Sequence, residues 1–378
     1  MFVMILNNDL VKGCLMKKEL FLSLLFCALS STCFADYTRA VAALQRADYA
    51  TALQELEAPI QAKEAKSLYL MAYMHYHGMG VVKDYKKAFD LFQQATDQGS
   101  VDAQTYLAYM YAQGKGVEED KKKAVDLYQA SADSGDVTAT MNLGVLFYLG
   151  DGVTQNYEQA FELMSSIENA RNPTVQFYLG NLYFYGYGTN RDVEKALSYY
   201  VRAASYGSIE AHSVLGHLYQ KGVSVEKNIP LALRYYEYAA VKGFPLAQFN
   251  LATMYADGQA GSINKPIAYA WLTKAVENNF PQAANALSSL ADDMSISEIS
   301  KAKTEIMELD AQITSSAVVS PTKDGTEPLA EKVVPKVGAV SSSFVPQIGG
   351  VNFTAGAPVS APLSGNRTKR SRRMIRRR

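Results

Sequence analysis

Histidine and tryptophan are scarce in this 378-residue chain, with four copies and one, and cysteine occurs three times. Four histidines leave little room for a His-rich metal centre. Several catalytic signatures are missing: there is no Gly-x-Ser-x-Gly, no His-Glu-x-x-His, no Lys-Thr-Gly and no Gly-Lys-Ser/Thr. Net charge is absent as well, since 37 Lys+Arg face 37 Asp+Glu. That zero is a cancellation. Residues 367–378 carry eight basic residues and no acidic one, whereas residues 36–366 carry an excess of nine acidic. At 48% hydrophobic and 20% charged, the composition excludes a mostly disordered chain and a multispan membrane protein.

The first 35 residues read as a targeting segment. Met16-Lys17-Lys18 opens a basic stretch, an apolar run follows from Leu20 to Leu29, and small residues lead to Ala35 before Asp36. This is the layout of a secretory signal, cut after Ala35, with Met16 the better start and residues 1–15 an upstream extension. The run is too short to anchor in a bilayer, so no integral membrane segment is expected in the mature chain. Cys14, Cys27 and Cys33 all precede the cut. The exported form then has no disulfide, no thiol nucleophile and no Cys metal site.

What is there is a repeat. Gly78, Gly114, Gly150, Gly186, Gly222 and Gly258 recur every 36 residues, as do Ala88, Ala124, Ala160, Ala196, Ala232 and Ala268. A third column runs Met71, Leu107, Leu143, Leu179, Leu215, Leu251 and Leu287, each followed by Ala, Gly or Ser. Each unit reads as two helices. Helix A carries an apolar stripe at helical spacing and stops at the glycine, because a left-handed cap is cheap only there. Helix B starts at Asp84, Asp120, Asn156, Asp192, Asn228 or Asn264, whose side chains can cap orphan N–H groups. It should bury its Ala column and the position three later (Leu91, Leu127, Leu163, Tyr199, Tyr235, Trp271). In the third unit Arg171-Asn172-Pro173 replaces the usual glycine turn.

These residues resemble the Sel1-like repeat family, a relative of the tetratricopeptide repeat. Ala103 to Val117 fits its A-x-x-x-L-G-x-x-Y-x-x-G-x-G-V pattern, as do Leu179-Gly180, Tyr183, Gly186, Gly188, Asp192, Lys195 and Ala196. The resemblance implies an all-α fold, an α/α solenoid winding as a right-handed superhelix of helix-turn-helix repeats. Six units span 67–282. Residues 36–66 are a divergent first unit, with Ala52 in the Ala column, and 283–310 are capping helices. Proline, serine and valine then dominate 311–366, which holds two aromatics, Phe344 and Phe353. That stretch is expected to be a disordered linker, and 367–378 a disordered basic tail.

Chemistry candidates are few. The Gly-x-Gly loops follow helices rather than strands, so they read as caps and not as phosphate loops. His75 and His77, two apart on a helix, point to different faces and cannot readily share a metal. Ser300-Lys301-Ala302-Lys303 matches Ser-x-x-Lys by chance on a surface helix. No cofactor is expected.

In related tetratricopeptide units, helix A presents to a partner the positions equivalent to 69, 73, 76 and 77. The resemblance therefore implies a concave binding face made by Tyr73, Tyr109, Met141, Val145, Tyr148, Leu149, Phe177, Asn181, Phe184 and Tyr185. Two readings stand: the aromatics line a groove for a peptide or helix, or they pack between neighbouring helices. The tail cations Arg367, Lys369, Arg370, Arg372, Arg373, Arg376, Arg377 and Arg378 either contact anionic envelope material or form a solvated end. Specific nucleic-acid binding is not expected. The family resemblance implies a non-catalytic protein-binding scaffold of the bacterial envelope, periplasmic or secreted. Its alternatives are a cell-wall-directed hydrolase or β-lactam-binding protein, and a structural spacer tethered by the tail.

Overall fold

The computed structural model describes residues 36–318, and every regular element among them is a helix. In chain order these are α1 (36–45), α2 (Tyr49–Gln61), α3 (Ala65–His77), α4 (Tyr85–Asp97), α5 (Val101–Gln113), α6 (Lys121–Asp133), α7 (Val137–Leu149) and α8 (Tyr157–Ser166). Then come α9 (Pro173–Tyr185), α10 (Val193–Ser205), α11 (Ile209–Lys221), α12 (Ile229–Val241), α13 (Pro245–Ala256), α14 (Lys265–Glu277), α15 (Pro281–Asp292) and α16 (Ile296–Val318). They form consecutive helix-turn-helix repeats, as expected of an α/α solenoid. The described residues divide into two compact units, one ending at Thr154 and one starting at Gln155. The expected signal segment, its cysteines and the basic tail lie outside the described residues. Of the expected linker, residues 311–318 belong to α16, which runs past Ala311, and the rest lies outside.

Helix starts follow the side chains that can cap them. Asp84, Asp120, Asn156, Asp192, Asn228 and Asn264 each accept from the N–H three residues on, at 2.9–3.2 Å. Caps of this kind contribute about 1 kcal/mol each. Helix A of four units is capped likewise by Glu64, Ser100, Asp136 or Ser208. At α13 and α15 a Phe stands at the cap with no side-chain bond, and Pro245 or Pro281 opens the helix instead. In the third unit α8 stops at Ser166, and Asn172 caps α9 ahead of Pro173. The Gln176 amide closes that irregular turn by donating to Glu168 O at 2.7 Å.

The interior of the stack rests on a column that sequence spacing misplaced. The Ala column of helix B is fully buried in all six units. The position three later is not uniformly buried: Leu91, Leu127 and Leu163 are only half-buried. The position four later is buried throughout, as Phe92, Tyr128, Met164, Tyr200, Tyr236 and Leu272. A step of four turns the side chain about 40° from the alanine and a step of three about 60° the other way, so the former faces the stack more squarely.

The small column of helix A exists to admit these rings. A Cβ on Gly180 would lie 2.6 Å from the Tyr200 ring, and one on Gly216 2.8 Å from the Tyr236 ring. The Tyr200 hydroxyl then donates to Asn181 Oδ1 at 2.8 Å, and the Tyr236 hydroxyl to Gln220 Oε1 at 3.2 Å. Each ring is buried with its polar end paired, as a buried tyrosine requires.

α15 and α16 depart from the scheme. α16 does not sit on α15 as a helix B sits on its helix A; it packs on α14 and reaches α12. Lys274 of α14, almost wholly buried, donates to Glu277 Oε2 at 2.7 Å and pairs with Asp310 Oδ1 of α16 at 2.6 Å. No helix among the described residues is long and apolar enough to cross a membrane.

Candidate protein-binding face

Of the ten side chains expected on the concave face, six are buried: Tyr109, Met141, Val145, Phe177, Asn181 and Phe184. Tyr73, Tyr148, Leu149 and Tyr185 are half-buried. The expectation of a solvent-facing aromatic wall is therefore corrected for the first six, which fill the space between adjacent helices. Asn181 is the plainest case, since its carbonyl is taken by Tyr200 inside the stack.

In the first unit the rings interlock. Phe92 of α4 stacks on Tyr106 of α5 at 4.9 Å, and Tyr69 meets both at 5.8 Å. Tyr76 touches Tyr85, Tyr106 and Tyr109 edge-on at 5.1–6.4 Å. Burial raises the hydroxyl pKa of Tyr69 and of Tyr106, with nearby carboxylates adding for Tyr69 and neighbouring tyrosines for Tyr106. The Lys115 ammonium caps this cluster, donating to the Tyr76 and Tyr109 hydroxyls at 3.1 and 3.2 Å. It also lies 4.9–5.9 Å from the ring centres of Tyr109, Tyr76 and Tyr85. What remains at the surface is Tyr73 against the exposed His77, ring centres 4.3 Å apart. Beside Tyr73 a groove of about 210 Å³ runs along Leu44, Tyr49 and Met79.

The second unit carries a surface stack that sequence reasoning missed. Tyr185, at the end of α9, stacks on Tyr187 at 5.1 Å, and Tyr187 stacks on Tyr157 at 4.3 Å. All three are half-buried. Burial, with Tyr187 close by, raises the pKa of the Tyr185 and Tyr157 hydroxyls, so those two phenols stay neutral at physiological pH. The signal was available in the register. The middle residue of each Gly-x-Gly loop lies over the first residue of the preceding helix B: Lys115 over Tyr85, Asp151 on Lys121 at 2.6 Å, Tyr187 on Tyr157.

The remaining chemistry candidates sit apart. His75 is buried, its Nδ1 3.5 Å from Val82 O, and His77 is exposed against Tyr73. Ser300 and Lys301 are both exposed on α16. Among the described residues no cluster of His, Cys, Asp or Glu is grouped to hold a metal ion.

Comparison with known proteins bears on what such a face does. The family described as Sel1 repeat matches residues 65–100, 101–136, 137–166, 173–208, 209–244 and 245–280. These frames open at the first residues of α3, α5, α7, α9, α11 and α13, two residues ahead of the frame read from the sequence. Among curated proteins none matches this chain. A Sel1 repeat protein from Oxalobacter formigenes is 28% identical with a TM-score of 0.58, over 64% of this chain and 99% of that one. A protective antigen of uropathogenic Escherichia coli strains, displaying an SLR fold, is 23% identical with a TM-score of 0.56. That match covers 75% of this chain and 61% of the antigen, less than two thirds of its length, and at this identity the likeness is one of fold alone.

Proposed function

The chain belongs to the Sel1 repeat family, whose members generally mediate protein–protein interaction, and from that premise we propose that it is a non-catalytic scaffold of the bacterial envelope. It holds a protein partner at the C-terminal ends of its A helices and the loops that follow them. The observation that carries this reading is the half-buried stack of Tyr185, Tyr187 and Tyr157. Three rings already held in place lose little entropy when a partner covers them, which is why tyrosine recurs at binding hot spots. Tyr73 with His77, and Tyr148 with Leu149, offer smaller patches of the same kind in the first unit.

Export rests on the Met16 to Ala35 pattern, and contact with anionic envelope material on the eight cations of residues 367–378. The burial of six expected face residues favours one rival, a spacer that recognises nothing.

Incorporation of a photo-crosslinking residue at Tyr187 or Tyr148, in the native envelope, separates the two. The scaffold reading expects discrete protein adducts that disappear in a Tyr157→Ala/Tyr185→Ala variant whose Tm falls by only a few degrees. No adduct from either position supports the spacer and removes the scaffold.

A further inference from the structure

Rings of helix B fill this column of the stack in four of the six units; the third has Met164 there and the last has Leu272. Where Tyr200 and Tyr236 insert against Gly180 and Gly216, the same column supplies Leu272. Its surroundings have shrunk too: the positions of His217 and Gln220 on α11 are Thr253 and Ala256 on α13. The result is an open groove of about 420 Å³, floored by Ala252, Leu272, Ala286 and Leu290 and edged by Thr253, Ser289 and Asp293. Its volume falls in the ordinary range for a small ligand site.

Among the described residues, the exposed charges beside the groove that lack an ion-pair partner are carboxylates. α13 and α15 both finish at the groove, so the negative ends of two helix dipoles meet there. Asp257 follows the lining residue Ala256, and Asp292 precedes the lining residue Asp293. Lys265 is bound to Asp293 through Oδ2 and the main-chain oxygen, both at 2.7 Å. Among the described residues no Lys or Arg pairs with Asp257 or Asp292, both exposed. Lys221 holds the matching position one helix A further back.

From the missing ring and the carboxylates beside its place, we infer that this groove takes one aromatic side chain of an extended partner peptide, with an Arg or Lys adjacent to it. The partner thus completes the packing that Tyr236 provides one unit earlier, and its cation meets Asp257 and Asp292. This names the partner chemistry of the scaffold reading and rests on it.

Alanine and leucine methyl NMR of the full chain tests it, with the peptide acetyl-Arg-Tyr-Arg-amide as probe. The methyls of Ala252, Ala256, Leu272, Ala286 and Leu290 are expected to shift. Acetyl-Arg-Ala-Arg-amide should bind about tenfold or more weakly, having lost the ring. Acetyl-Glu-Tyr-Glu-amide should bind more weakly as well. Leu272→Tyr combined with Ala252→Gly restores the inner ring beside the glycine it packs on and should abolish binding while Tm changes by only a few degrees; Ser289→Trp blocks the rim without touching the floor. Equal binding of the three peptides, shifts elsewhere, or unchanged binding to both variants overturns the proposal. So does a groove that responds only after removal of residues 319–378, or only to protein concentration, because its occupant is then the chain's own segment or a second copy. If the groove fails while crosslinks at Tyr187 persist, the scaffold reading stands and only this partner chemistry falls.

Discussion

A single loop position shows how much a repeat can ask of one residue. The second glycine of Gly-x-Gly lies where the loop crosses the start of the preceding helix B. A Cβ on Gly188 would sit 2.2 Å from Tyr157 O, main chain against main chain, and its φ of +64° disfavours a side chain as well. In the fifth unit that place is Ser224, which keeps φ at +63°, and its buried hydroxyl has no hydrogen-bond partner. Left-handed backbone at a non-glycine residue costs about 1–2 kcal/mol, and a buried unpaired hydroxyl adds to it. Glycine has the freer unfolded chain, which offsets roughly 0.5–1 kcal/mol. Ser224→Gly is therefore expected to stabilise the protein by about 1 kcal/mol, and Gly188→Ser to destabilise it by more than about 2 kcal/mol, as read by urea denaturation. Equal and opposite effects at the two sites would contradict the main-chain contact at Gly188.

Helices were the most legible level of the sequence. Six helix B starts were readable from Asp and Asn because a cap is a local bond between residues three apart. Exposure was not, because the same aromatic at the same register serves as filler or as surface according to its neighbour. Tyr109 is buried beneath Lys115, whereas Tyr73, at the same register one unit earlier, stays half-buried against His77. Nor did local pattern show that α16 would leave α15 and lie on α14, since that depends on tertiary bonds. The chief one joins Lys274 to Asp310. Burial works against the Lys274 ammonium, but the carboxylates of Asp310 and Glu277 more than offset it and its pKa is raised. Asp310→Ala leaves a buried ammonium with Glu277 alone. Because Asp310 is itself 56% exposed, water softens the loss to about 1–2 kcal/mol. Hydrogen exchange should show α16 losing protection while α9 to α11 keep theirs. Adding Lys274→Met should recover most of it, since an apolar replacement removes the stranded charge.

At the scale of the whole molecule, stability in a repeat array is close to a sum over neighbouring interfaces, so the groups buried at those interfaces decide its response to pH. His75, His212 and His217 have lowered pKa values, with burial the first cause in each. His212 is held stacked on Tyr238 at 3.9 Å, with Nδ1 2.7 Å from Ser208 O. His217 is pushed furthest, down to about 4, by burial and then by the Lys221 ammonium. The folded state keeps these rings neutral, while the unfolded chain takes up a proton near pH 6.5. Between about pH 6.5 and 4 the unfolded state thus binds more protons, and stability falls as pH falls through that window. His217 occupies the register position held by Asn181 one unit earlier, so His217→Asn places a residue the fold already accommodates there. The urea midpoint of the unaltered protein should drop steadily from pH 7 to pH 4.5, and that of His217→Asn should drop less. Parallel curves for the two proteins would mean that His217 is protonated as readily in the stack as in the unfolded chain, and that the acid response belongs to the carboxylates instead.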